Sequence, residues 1–163
     1  MFAMGLGLRS GLYLKLILLG TGICGLVIYF IVFPHFGQLL ARTAPEYAHC
    51  YWPWLIFLWL TGVPCYAVLI LGWKVASSIR ADQAFTEENS RRFRLASRLA
   101  ARDSIFLAAG CILYWLMGMA HPSMVILGIA VALVGGAAAV VAEALAQLTG
   151  QAAVLQEQSD WTI

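Results

Sequence analysis

Charged side chains are scarce: Asp, Glu, Lys and Arg make up 11% of the 163 residues, whereas 62% are hydrophobic. Soluble domains carry roughly 25% charged residues, so this balance points away from an aqueous fold and towards a bilayer as solvent. The net charge of +2 is too small for a nucleic-acid binder, and no direct contact with nucleic acid is expected. Cys24, Cys50, Cys65 and Cys111 form no CxxC pair and show no zinc-like spacing. Three of them fall inside apolar runs, where a free thiol packs as a small hydrophobe. Thiol oxidoreduction needs paired thiols at an accessible face, and only Cys50 lies near a water interface. His35 and His49 lack a third ligand at a known spacing, so neither a metal nor a cofactor is implied. No catalytic constellation stands out, and the chain reads as a non-enzyme.

What is present is length of apolar run. Crossing about 30 Å of hydrocarbon takes about 20 helical residues, and residues 12–33, 54–73, 104–120 and 124–148 come near that. The first run is too long for a signal h-region of about 7 to 15 residues, and no small-residue cleavage site follows, so it is expected to be a retained anchor. The third is short, so it either stands upright or draws on residues from Leu99 onward. The expected fold is all-α: a single multi-pass membrane domain, a four-helix bundle. Tyr47, Tyr51, Trp52 and Trp54 before the second span, and Trp73 at its end, fit interfacial belts. Pro64 should kink that span modestly. Residues 34–53 read as a loop, and His121-Pro122-Ser123 as a tight hairpin connection between spans three and four.

Of the ten Lys and Arg, only Arg42 falls between spans one and two. Arg9 and Lys15 precede or enter the first span, and Lys74, Arg80, Arg91, Arg92, Arg94, Arg98 and Arg102 follow the second. The positive-inside rule therefore places both termini, the loop 74–103 and the tail 149–163 in the cytoplasm.

Residues 81–103 hold half of the charged side chains. Thr86 reads as a helix N-cap, with Glu87 and Glu88 in the first turn against the positive end of the helix dipole. Arg91, Arg94, Arg98 and Arg102 then recur at steps of 3, 4 and 4, a stripe on one face. Such a stripe suits anionic lipid headgroups, at about 1 kcal/mol per residue, and equally an acidic cytoplasmic partner. Glu143 reads as the one carboxylate inside an apolar span, with Gln147 and Gln151 continuing its face. Intramembrane carboxylates carry function by default, but Glu143 falls near the inner boundary, where a salt bridge to Arg98, Arg102 or Lys74 is the simpler role. Gly128, Ala132, Gly135, Ala139, Ala142 and Ala146 make a small-residue seam, expected to meet span one at Thr21 and Gly25 or to join subunits of a homo-oligomer.

The segments EYAHCYWPWLIFLWLTGVP and IRADQAFTEENSRRFRLASR, and the terminal QSDWTI, resemble in order the membrane family called domain of unknown function 2975. That resemblance implies a small four-helix bacterial membrane protein without an assigned activity, often encoded beside a Cro/CI-type helix-turn-helix regulator. It supplies no catalytic residues. The expected role is a regulatory membrane protein whose cytoplasmic face, residues 80–102 with the tail 151–163, restrains such a regulator; Trp161 in that tail suggests some order. The alternative is a small transporter or channel subunit using Glu143 and a bend at Pro64.

Overall fold

The computed structural model describes residues 2–81 and 83–160, without the side chains of 2–10, 80, 157, 159 and 160. Expectations resting on the side chains of Arg9, Arg80, Glu157 and Asp160, or on Trp161, lie outside the described residues. Four helical stretches, Gly11–Thr43, Pro45–Ile79, Glu87–Leu116 and Pro122–Gln156, are long and apolar enough to cross a membrane. The all-α reading therefore holds, but every boundary except the C-terminal end of the third span moves outwards.

Residues 34–53 are not a loop. Helix α1 (Phe2–Val27) passes through a π turn (Ile28–Val32) into helix α2 (Phe33–Thr43). Pro34 lacks an N–H and its ring crowds the carbonyl four residues back, which normally ends a helix. Here the preceding turn widens, so that the Phe33 N–H reaches the Ile28 carbonyl five residues back, and the proline is absorbed. The chain turns at Ala44 (φ −130°, ψ 80°) and continues as a 3-10 turn (Pro45–Cys50). Helix α3 (Tyr51–Arg80) then runs through Pro64 as one element.

The third span also differs from 104–120. Helix α4 (Glu87–Leu116) is continuous from the charged segment into the apolar one, and Thr86 caps it by accepting from the Asn89 N–H at 3.3 Å. It stops four residues earlier than 120 because Gly118 adopts a left-handed φ of 69°. The Met119 N–H bonds the Tyr114 carbonyl and the Gly118 N–H the Trp115 carbonyl, which satisfies the last turn in a Schellman arrangement. Helix α5 (Pro122–Asp160) begins at a proline, where a missing N–H costs nothing.

Helix α1 packs on α3, α3 on α4, and α4 on α5, while α1 and α5 do not meet among the described residues. The four spans therefore form an open row. The small-residue seam of α5 faces α4, not span one. Gly135 faces the Ser104 side chain, Gly128 faces Cys111 and Gly150 faces Ser90. Ala132, Ala139 and Ala146 are buried along the same line. The reason lies in α4 itself: Ser90, Ser97, Ser104 and Cys111 recur every seventh residue, a matching line of small side chains that lets two antiparallel helices approach closely. Ser90 Oγ uses that closeness to donate to the Ala146 carbonyl at 2.7 Å. The Gly25 end of span one meets the ring of Tyr66 on α3 instead, and the Tyr66 hydroxyl donates to the Gly22 carbonyl at 2.8 Å.

At the other end of the helices an aromatic joint ties α3 to α4. Phe57 sits edge-on to Trp54 and Tyr114, which stack at 4.8 Å between ring centroids. Trp54 Nε1 donates to the Met119 carbonyl and the Tyr114 hydroxyl to that of Pro53.

Candidate functional site

Two polar constellations stand out, one at the basic ends of α3, α4 and α5 and one inside the membrane-spanning region. At the basic end, Arg92 is the organising side chain, although it lies off the arginine stripe. Its Nη1 donates to Ser78 Oγ at 2.9 Å, to Asn89 Oδ1 at 3.0 Å and to the Lys74 carbonyl at 3.5 Å, and it pairs with Glu88. Asn89 is fully buried, and its Nδ2 donates to the carbonyls of Gln83 and Ala84. The AFTEEN segment thus closes the α3–α4 connection: Thr86 caps, Glu87 and Glu88 hold Arg91 and Arg92, and Asn89 ties down the turn.

The stripe residues have separate surroundings. Arg91 pairs with Glu87 at 2.8 Å, with both side chains 77% exposed. Arg94 Nε lies 3.9 Å from Glu143 Oε1, so the partner of Glu143 is Arg94 and not Arg98, Arg102 or Lys74. Arg98 and Arg102 are exposed and make no ion pair among the described residues. Side chains lean towards a helix's N-terminus, which in α4 is the basic end, so both arginines lean towards the headgroup level they would reach by snorkelling. That level is marked on four helices: Lys15 Nζ sits 5.2 Å from the Trp73 ring centroid, Arg92 reaches Lys74, and Arg94 reaches Glu143. From Lys74 back to Trp54 is about 30 Å of helix, one hydrocarbon thickness. Gln147 is exposed and lines a shallow groove with Arg94, Gly150, Gln151, Val154 and Leu155.

Glu143 is not the one intramembrane carboxylate. Asp103 lies about 13 Å beyond the Arg94 level along α4, and its Oδ2 accepts from Cys65 Sγ at 3.5 Å, near the middle of α3. One turn along α3 from Cys65, Thr61 Oγ1 lies 3.4 Å from the Tyr29 hydroxyl. Tyr29 belongs to the π turn, and its carbonyl, accepting from Trp59 Nε1 at 3.0 Å, fixes that turn against α3. Thr61, Tyr29, Cys65 and Asp103 form a polar ladder joining three helices. Asp103 Oδ1 is buried without a hydrogen-bond partner in the structure. Such a group is costly in hydrocarbon and marks a functional position by default. Hydroxyl, thiol and carboxyl in sequence can relay or hold a proton; no three His, Cys, Asp or Glu side chains gather for a metal among the described residues. The signal for Asp103 was the short third span, since starting it at Leu99 brings the carboxylate inside.

Residues 35–163 match the family described as "Protein of unknown function (DUF2975)". The chain belongs to this family. The match takes in the whole basic-end clamp of this DUF2975 chain and three members of its ladder, Thr61, Cys65 and Asp103, while Tyr29 precedes it. A relative, the "Uncharacterized membrane protein YoaS" of Bacillus subtilis (strain 168), is 27% identical over 156 residues, covering 94% of this chain and 98% of the relative. No solved structure matches the chain. Four apolar helices and a relative named as a membrane protein make this DUF2975 chain an integral membrane protein.

Proposed function

We propose that this protein is a non-enzymatic, regulatory component of the bacterial cytoplasmic membrane, with both termini inside, whose α4–α5 helix pair docks an acidic cytosolic partner. The supporting observation is the length of α5. Beyond Glu143 it continues for about 25 Å, and past Gly150, which faces Ser90, it outruns the start of α4. Val154 and Leu155 on this stretch are 55% and 65% exposed, beyond the hydrocarbon level. Together with Gln147, Gln151 and Arg94 they form a groove that offers apolar contact, amide hydrogen bonds and a cation. An amphipathic acidic helix has the complementary chemistry, and the family resemblance points to a helix-turn-helix regulator as its owner. Arg98 and Arg102, closer to the bilayer, serve anionic headgroups. The transporter or channel reading through Glu143 has less support, because that carboxylate faces Arg94 at the basic end of the helices.

A photo-crosslinker at Leu155 in the native host tests this. Capture of a DNA-binding regulator, lost when Arg91 and Arg94 are both changed to Glu, is expected. Labelling of Gln151→Cys by an impermeant thiol reagent on intact cells, or no regulator among the crosslinks, would overturn it.

A further inference from the structure

Because α1 and α5 do not meet, the open row encloses a cavity of about 250 Å³ over α3 and α4, at the end away from the basic clamp. Its walls are apolar: Phe36 from α2, Leu58 from α3, and Leu127 and Val131 from α5. Its inner end is closed by Tyr29 and Thr61, the first two members of the polar ladder, and Tyr47 and His121 stand at its mouth.

We propose that this cavity is a binding site for one hydrocarbon chain of a bilayer lipid from the leaflet at the aromatic helix ends. Depth selects the occupant. The cavity lies within the spanning segments and its gap between α2 and α5 opens sideways, where hydrocarbon and not water is the surrounding medium. Left empty, its lining would lose its van der Waals partners on one side. Length agrees: Tyr29 to Ala41, both lining the cavity, span about 18 Å of helix, against about 15 Å for half the hydrocarbon core. The volume lies below the roughly 300–1,000 Å³ of sites that take drug-sized ligands, which favours a thin chain over a ring system. Tyr47 and His121, amphipathic residues at the mouth, suit the headgroup level. The chain terminus then rests on the Tyr29–Thr61 pair, one turn of α3 from Cys65, so occupancy touches the polar ladder at its first two members.

The full-length protein, reconstituted in phosphatidylethanolamine and phosphatidylglycerol vesicles with a trace of phospholipid bearing a diazirine at the acyl terminus, is irradiated and its adducts mapped. Adducts concentrated on Tyr29, Leu58 and Thr61 are expected. Val131→Trp fills the cavity from its open side and should reduce these adducts several-fold, whereas Leu133→Trp, on a 70% exposed position of α5 outside the lining, should leave them unchanged. Both positions are exposed, so neither tryptophan disturbs a packed interface. Adducts spread evenly over the lipid-facing sides of α1 and α5, or a Val131→Trp map equal to that of the parent, would overturn the proposal. So would a disulfide-linked dimer formed through Val131→Cys, which would give the groove to a second copy, or recovery of a non-lipid molecule from the purified protein at the same site.

Discussion

Gly135→Ala tests the close approach of α4 and α5 at a point where the geometry separates cause from consequence. A Cβ at residue 135 would stand 2.5 Å from Ser104 Oγ and 3.8 Å from Ser104 Cβ, where ordinary contact begins near 3.4 Å. The oxygen is therefore the whole obstacle. It is held in place by its hydrogen bond to the Ala100 carbonyl at 2.8 Å. Either the helices part, an overpacking cost of about 1–3 kcal/mol, or the hydroxyl swings away and gives up a bond worth about 0.5–1.5 kcal/mol. Gly136, one residue on, has nothing within 4 Å, so Gly136→Ala should be neutral or stabilising by up to about 1 kcal/mol through helix propensity. Ser104→Ala removes the obstacle, and the double variant Gly135→Ala/Ser104→Ala should return to within about 1 kcal/mol of the parent. The coupling between the two sites is then about 1–3 kcal/mol in favour of the pair. Reversible unfolding in mixed micelles, followed by helical ellipticity, reads all four variants against the parent. If Gly135→Ala is as stable as Gly136→Ala, or the two substitutions at 104 and 135 simply add, the α4–α5 seam is not the close contact described here.

Asn89→Ala removes two donated bonds and one acceptor at a fully buried site and should cost roughly 2–4 kcal/mol in the same unfolding assay; an effect under about 0.5 kcal/mol would remove Asn89 from the clamp. Asp103→Leu deletes a carboxylate with a buried, unpartnered oxygen and should stabilise the protein by about 1–3 kcal/mol. A destabilised Asp103→Leu would show that the carboxylate holds α4 to α3. Glu143→Gln breaks a long, half-exposed pair with Arg94 and should change stability by less than about 1 kcal/mol, with no change in proton flux across reconstituted vesicles. Altered flux in that variant would restore the transport reading.

Hydropathy made the four spans legible, because the need for about 20 apolar residues per crossing acts on composition alone. Their ends were less so, because they depend on single residues whose effect is conditional. Pro34 reads as a helix stop under the ordinary rule, and only the widened turn at Ile28–Val32 reverses that. Gly118 reads as one more apolar-run glycine until its left-handed φ makes it a helix terminator. The seam of α5 was visible, but its partner was sought on span one, where Gly25 offered a small-residue pair. The better match was written in α4 as Ser90, Ser97, Ser104 and Cys111, a repeat of seven whose serines look merely polar beside the arginines around them.

Arginine density also concealed Asp103. Counted with its neighbours Arg98 and Arg102, it falls in the charged segment and reads as lying outside the membrane. Helix geometry separates them: Arg102 and Asp103 are adjacent in sequence but about 100° apart around α4, so one side chain faces outwards while the other meets α3 at Cys65. The arginine can lean towards the basic headgroup level and the aspartate, enclosed between helices, cannot. A membrane protein that needed only to cross the bilayer would have no use for such a group, since an apolar side chain at 103 would pack against α3 without leaving an oxygen unpaired. Its position beside the Cys65 thiol, one turn of α3 from the Tyr29–Thr61 pair that closes the cavity, is what ties the proposed lipid site to the polar groups in the middle of the protein.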